Sequence, residues 1–376
     1  MRIRVLPLLL PLLFSACGAC SPLYLFRASV EEARILAGRR PIDEMLADPA
    51  TPDDVRRKLR FAQQARSFAD EALGLDVGNS YTTFSRVERD TLALVLSAAR
   101  RDRFEQVTWW FPIVGRIPYK GFFEEEDALD AAAELAADGY DVYLRPTSAF
   151  STLGWFSDPL LSTLLRYDDV SLVTTVIHEL THNTLYLSGQ AAFNESFANF
   201  VGSRGAIEYW CGVEGPESPA CRTAAGRWQD AIRFGAFIEQ LVSELEALYA
   251  RSDLSTAQVL ERRARVFAEA RRRFREQVQP SFRVASYSSF LETPLNNATL
   301  IARRLYYHRL DRFETVYRAS GRDLPLAIRR IVDAARQSPG DPYAALARLA
   351  ASHSPAAHVY IARFRTEPGK STRRTR

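Results

Sequence analysis

The sequence predicts an α+β protein in which helices predominate. Three observations carry that reading. Apolar residues recur at helical spacing over most of the chain, and almost without interruption beyond Cys221. Residues 106–144 switch from a strand-like to a helix-like pattern and back. Residues 168–200, DDVSLVTTVIHELTHNTLYLSGQAAFNESFANF, hold two helical patterns separated by a turn.

In chain order, residues 24–73 predict three helices, with breaks at 39–43 and 48–52. The third starts with Thr51 as N-cap and Pro52 at the first helical position, where its missing N–H costs nothing. Residues 80–100 fit more than one pattern: 81–84 read as extended, 90–99 as strand or helix. Val107, Thr108, Trp109, Trp110, Phe111, Ile113 and Val114 suit strands, punctuated by Gly115, Pro118 and Gly121. Glu124 to Asp127 open a helix with acids in its first turn, Gly139 closes it, and 140–144 return as a strand. Strand, helix and strand in that order predict a small mixed sheet packed on the helix at 172–187. Residues 148–155 read as an edge segment leading towards that helix, where an extended peptide could pair its backbone. The alternative has Phe150 and Trp155 in the core and the rest as loop. Beyond Cys221, helices are predicted over 223–249, 256–278, 294–318, 324–335 and 343–351, and no internal repeat is apparent.

Within the central stretch, His178-Glu179-Leu180-Thr181-His182 is an H-E-x-x-H motif. On a helix, residues four apart share a face, so His178 and His182 can offer two imidazoles to one metal ion while Glu179 reaches water on it. Leu172, Val173, Val176, Ile177 and Leu180 keep helical spacing, with Asp168 or Asp169 as N-cap and Gly189 as a stop. A turn at Ser188-Gly189-Gln190 folds the next helix back and offers Glu195. That completes the His/His/Glu set that leaves a fourth zinc position for water, an arrangement suited to catalysis. With this chain's own His and Glu content, H-E-x-x-H arises by accident in about one such chain in two hundred.

Composition bounds the alternatives. With 376 residues, 47% of them hydrophobic, the chain can bury one large core or two modest ones. The formal charge is +4, and the basic residues are arginine apart from Lys58, Lys120 and Lys370. They are spread among acids rather than gathered with exposed aromatics, which argues against nucleic acid as a partner. The exception, Arg373-Arg374-Thr375-Arg376, reads as a solvated end. Arg2 and Arg4 precede an apolar run at 5–14 that is too short to cross a bilayer, followed by small residues to Cys17, which is the pattern of an export signal. Ala16-Cys17 resembles a bacterial lipobox, with Cys20 as a competing site, and implies a lipid anchor on Cys17. Gly18, where an aspartate would favour the inner membrane, points to the outer membrane with the protein facing the periplasm. In an exported chain Cys211 and Cys221 can form a local disulfide or remain two free thiols. These readings divide the chain into a signal at 1–17, a helical region at 18–100, a catalytic core at 101–210, a helical region at 211–365 and a basic tail at 366–376.

HELTH followed by NESFANF, with STLGWFSDPLLST upstream and RRPIDEMLADPATP, YKGFFEEEDA and LNNATLIARRLYYHRLDRF elsewhere, resembles the bacterial family of predicted zinc aminopeptidase lipoproteins over nearly all of the mature chain. The resemblance implies a zincin-like, gluzincin-type core acting on peptide substrates, with Zn2+ held by His178, His182 and Glu195 and with Glu179 as catalytic base. After NESFANFV the family carries an acidic residue where this chain has Gly202.

In the expected reaction Glu179 takes the proton of the attacking water and passes it to the departing amine. Asn199, one turn after Glu195, is a candidate to fix an imidazole tautomer, or else a plain surface residue. Asn296, Asn297 and Tyr307 share a helix face, and Tyr307 or its neighbour Tyr306 can donate to the developing oxyanion. His308, His353 and His358 read as structural or exposed. No carboxylates that would hold a substrate's ammonium are identifiable, so endopeptidase activity stays open. A non-catalytic, envelope-anchored binding protein is the rival reading, against which the intact Glu179 argues.

Overall fold

The computed structural model describes residues 35–87, 93–111, 115–147 and 158–351. The expectations at Cys17, Cys20, His353, His358, the basic tail and the 148–155 edge segment lie outside them.

The described chain opens with β1 (Arg40–Pro41), α1 (Ile42–Ala47), α2 (Asp53–Glu71) and β2 (Thr83–Ser85). Pro52 stands at the N-cap of α2 rather than inside it, a one-residue difference of the kind helix ends commonly show. β3 (Ala93–Arg100) is buried continuously from Val95 to Ala99, so its sequence lacks the alternation that marks a half-exposed strand. β4 (Trp109–Phe111) and β5 (Gly115–Ile117) pair antiparallel, followed by β6 (Lys120–Phe122), α3 (Glu125–Ala137), β7 (Tyr140–Thr147) and β8 (Leu160–Leu161).

The main sheet runs β6-β3-β7 with both pairings antiparallel. The expected mixed sheet over this strand-helix-strand stretch is therefore corrected: β3 separates β6 from β7, which become the two edges. Mixed pairing occurs instead in the small sheet β1-β2-β8, antiparallel then parallel. Nor does the main sheet pack chiefly on the H-E-x-x-H helix. Its partners are α3, through Leu96, Ala98, Phe122, Ala128 and Ala132, and a later helix, α9 (Asn297–Tyr307). Polar groups account for the choice. The backbone N–H of Asn297 donates to the Asp141 carboxylate at 2.9 Å, its side-chain amide donates to the Arg100 carbonyl at 2.8 Å, and Asn296 donates to the Val142 carbonyl at 3.1 Å. These bonds satisfy buried groups of both partners and tie the start of α9 to β3 and β7.

The remaining helices are α4 (Asp169–Thr184), α5 (Ala191–Glu214), α6 (Pro219–Tyr249), α7 (Thr256–Arg273), α8 (Ser289–Glu292), α10 (Leu310–Ala319), α11 (Leu324–Gln337) and α12 (Pro342–Ala351). The single helix expected over 294–318 is two, α9 and α10, because Arg309 adopts a left-handed conformation with φ of +50°. A disulfide joins Cys211, still inside α5, to Cys221 in the first turn of α6, with their Cα atoms 4.8 Å apart. No helix among the described residues is long and apolar enough to cross a membrane.

One hydrophobic core extends from Ile42 to Leu346 and surrounds α4 and α5. A second, around Phe234, Phe274 and Phe290, lies under α6 and α9. The α4–α5 contact is unusually close at Gly202, where an added Cβ would stand 2.7 Å from the Thr174 carbonyl oxygen and 3.0 Å from the His178 Cβ. Both are parts of α4 that cannot rotate away. Gly202→Ala is therefore expected to destabilise the protein by about 1–3 kcal/mol, the usual cost of overpacking, as read from the urea unfolding midpoint.

Candidate metal centre

α4 begins where Asp168 accepts a hydrogen bond from the Ser171 N–H at 3.0 Å, making Asp168 the N-cap. Asp169 follows in the first turn and ion-pairs with Lys58 at 2.7 Å and with Arg57, which ties α4 to α2. The inward face carries Val170, Leu172, Val173, Val176, Ile177 and Leu180, all buried. The helix ends at Thr184, five residues before the Gly189 expected to stop it, and Gly189 instead forms the connecting turn with φ of +77°.

Three consecutive residues of α5 then act in three directions. Asn194 holds the incoming loop through both atoms of its amide, accepting from the Leu187 N–H at 3.0 Å and donating to the Leu187 carbonyl at 2.8 Å. Glu195 points to the two histidines. Ser196 donates to the Leu305 carbonyl at 2.8 Å and accepts from the His308 N–H at 3.2 Å, capping the end of α9.

His178, His182 and Glu195 each present a donor atom, all within 4.8 Å of one another. Glu195 Oε2 is 3.4 Å from His178 Nε2 and 3.9 Å from His182 Nε2, and the two rings meet edge to face at 5.1 Å. Ligands about 2.0–2.1 Å from a tetrahedral zinc ion stand about 3.3 Å apart; the two carboxylate–imidazole separations lie near that value, and the whole set, within 4.8 Å, would need a small closure to hold such an ion. His182 is almost fully covered, whereas His178 and Glu195 keep 14% and 15% of their side-chain surface, which marks the accessible side.

The charges follow from burial and proximity. Burial lifts the Glu179 carboxyl to about 7, helped by Glu195 and Asp158 and opposed by His178. Burial lowers His182 to about 4. Burial also pulls His178 down, but the Glu195 carboxylate 3.4 Å from its Nε2 and the charge of Glu179 outweigh it, and the net shift is upward. Glu195 shows the converse: burial raises it, and the close contact with His178 together with the charges of His182, His178 and Arg145 brings it below its ordinary value. The carboxylate that would hold a cation is thus ionised, while Glu179 is poised to exchange a proton near neutrality.

A ring of tyrosines surrounds these groups. Tyr306 stacks on His178 with ring centroids 6.2 Å apart, and its hydroxyl accepts from Arg145 at 3.3 Å. Tyr119 and Tyr186 both feel the Glu195 charge, and Tyr81, held at φ of +60°, feels Glu179 and Asp158.

A family model described as "Putative aminopeptidase" matches residues 23–342, most of the chain. The chain belongs to this aminopeptidase family. Neither the curated proteins nor the solved structures searched returned a match.

In this family member the structure brings together His178, Glu179, His182 and Glu195, and leaves two other expected residues elsewhere. Tyr307 is turned away: its ring packs on Phe234 at 5.0 Å and Tyr287 at 5.8 Å in the second core. Successive helical residues point about 100° apart, so Tyr306 faces the histidines and Tyr307 cannot. Asn199 does not reach an imidazole; its amide donates to the Tyr306 carbonyl at 2.7 Å and so fixes the tyrosine's position. His182 Nδ1 is buried without a hydrogen-bond partner among the described residues. Asn296 and Asn297 anchor α9 to the sheet, and His308 pairs with Glu239 at 2.5 Å, away from the histidine pair. Arg145, Tyr81, Tyr119, Tyr186 and Asp158 went unnoticed in the sequence, since isolated residues of these types carry no spacing signal.

Glu179 titrates at about 7 in the folded protein against an ordinary value of 4.5, so as pH rises between these values the unfolded chain releases this proton first and folding stability falls. His182 works in the opposite sense, its contribution being lost as pH falls from 6.5 towards 4. It does so whether or not Glu179 is present. Metal-free Glu179→Gln should therefore lose less stability between pH 5 and pH 7.5 than the unsubstituted metal-free protein, as measured by urea unfolding midpoints.

Proposed function

We propose that the protein is a zinc-dependent aminopeptidase. The observation that carries this reading is the convergence of His178, His182 and Glu195 donor atoms beside a buried Glu179, in a chain of the aminopeptidase family. Zinc held there would polarise the scissile carbonyl and lower the pKa of its water. Glu179 takes the proton of the attacking water and delivers it to the departing amine, a role suited to a carboxyl held near neutrality. Tyr306, rather than Tyr307, donates to the developing oxyanion, and the Arg145 N–H on its hydroxyl oxygen strengthens that donor. The lipobox-like Ala16-Cys17 supports an anchor on Cys17, with the protein on the outer membrane facing the periplasm. Replacing Cys17 by Ser, with Cys20 intact, should move the protein out of the membrane fraction, and retention there would reject that anchor.

Metal analysis combined with an assay of amino-acid amides and N-blocked peptides tests the reading. Stoichiometric zinc is expected in both the unsubstituted protein and Glu179→Gln, with cleavage reduced by about 10²–10⁴ in the variant and dependent on a free amine. Cleavage of blocked peptides would make the protein an endopeptidase, and bound zinc without turnover would favour a binding protein. Tyr306→Phe should lower kcat by about 10²–10³, whereas Tyr307→Phe should change it little.

A further inference from the structure

Arg145 is a part-buried cation beside the site, and the hydrolytic reading gives its charge no carboxylate partner. It belongs to the row Asp141, Tyr143, Arg145 along β7, whose two ends meet Asn297 and Tyr306 of α9. Asp141 is fully paired in this row, with Arg101 at 3.6 Å and with Arg263. Arg145 forms no ion pair among the described residues. Its guanidinium donates to the neutral Tyr306 hydroxyl at 3.3 Å and lies 5.5 Å from that ring's centroid, and its Nε is buried with no hydrogen-bond partner among those residues.

Burial opposes the Arg145 charge while Tyr306, Glu195 and Tyr119 favour it, yet no carboxylate meets its planar fork among the described residues. Its planar fork matches a carboxylate in a two-point bond, the partner this side chain is best shaped to receive.

We propose that Arg145 receives a carboxylate of the substrate, so that the site selects short peptides able to bring a carboxylate close to the histidine pair. This rests on the peptidase reading above. The carboxylate can come from the free C-terminus of a di- or tripeptide or from an acidic side chain, and the two sources are separable.

The zinc-loaded protein would be assayed with a neutral dipeptide as the free acid, with its C-terminal amide, and with amides carrying glutamate at either position. Calorimetry on Glu179→Gln would measure binding of the same compounds without turnover. The free acid should exceed the amide by at least about tenfold in kcat/KM, and should bind more tightly by a similar factor. Restoration of the rate by a glutamate-bearing amide would assign the carboxylate to a side chain. Arg145→Gln should abolish the acid-to-amide ratio, and Arg145→Lys should retain part of it. Equal rates and equal binding for acid and amide would overturn the proposal while leaving the peptidase intact, and that comparison needs no Arg145 variant to fold. Parallel loss of both substrates in Arg145→Gln, with the ratio unchanged, would likewise overturn it and leave Arg145 acting only through Tyr306. If no peptide is cleaved the peptidase reading fails, and calorimetry still decides whether the carboxylate is recognised.

Discussion

The close crossing of α4 and α5 is the constraint on which the rest of the site depends. Gly202 lies two turns beyond Glu195, opposite Thr174 and His178, at a point where the backbones leave no room for a Cβ. The distance between the two helices sets how far Glu195 stands from His178 and His182, and donor groups for a small cation tolerate little change in that distance. At Gly202 the two helices meet through close backbone packing.

A second set of contacts extends from this crossing to the sheet. Asn194, Ser196 and Asn199 of α5 bind, respectively, the loop after α4, the end of α9 and the Tyr306 carbonyl. The start of α9 is held by Asn296 and Asn297 on β7 and β3. α9 is thereby fixed at both ends, with Tyr306 over His178 and Arg145 of β7 behind it. The candidate ligands, Glu179, Tyr306 and Arg145 stand on helices and a strand, which suits chemistry that needs fixed donor positions.

How much of this was legible in the sequence follows from the range of each signal. The H-E-x-x-H helix and the Glu195 that follows it were legible because helical periodicity and a turn are local features. The Cys211 and Cys221 pair was legible as one of two alternatives. The packing of the sheet was not, because the bonds that decide it join Asn297 to Asp141 and Arg100, far apart in the chain. The break between α9 and α10 depends on Arg309 adopting a left-handed conformation, which no glycine or proline announces. The choice between Tyr306 and Tyr307 required the rotation of α9 about its axis, which is set by Ser196 and Asn199 on another helix. Arg145 needed both the strand register and the α9 contact before its position meant anything.

The central claim is that one metal ion sits among His178, His182 and Glu195. X-ray absorption at the zinc edge of the zinc-loaded protein tests it most directly. The account predicts a first shell of about four nitrogen and oxygen ligands at about 2.0–2.1 Å, with the outer-shell scattering of two imidazoles. A shell containing sulfur, or six oxygens without imidazole scattering, would place the metal elsewhere and contradict the account.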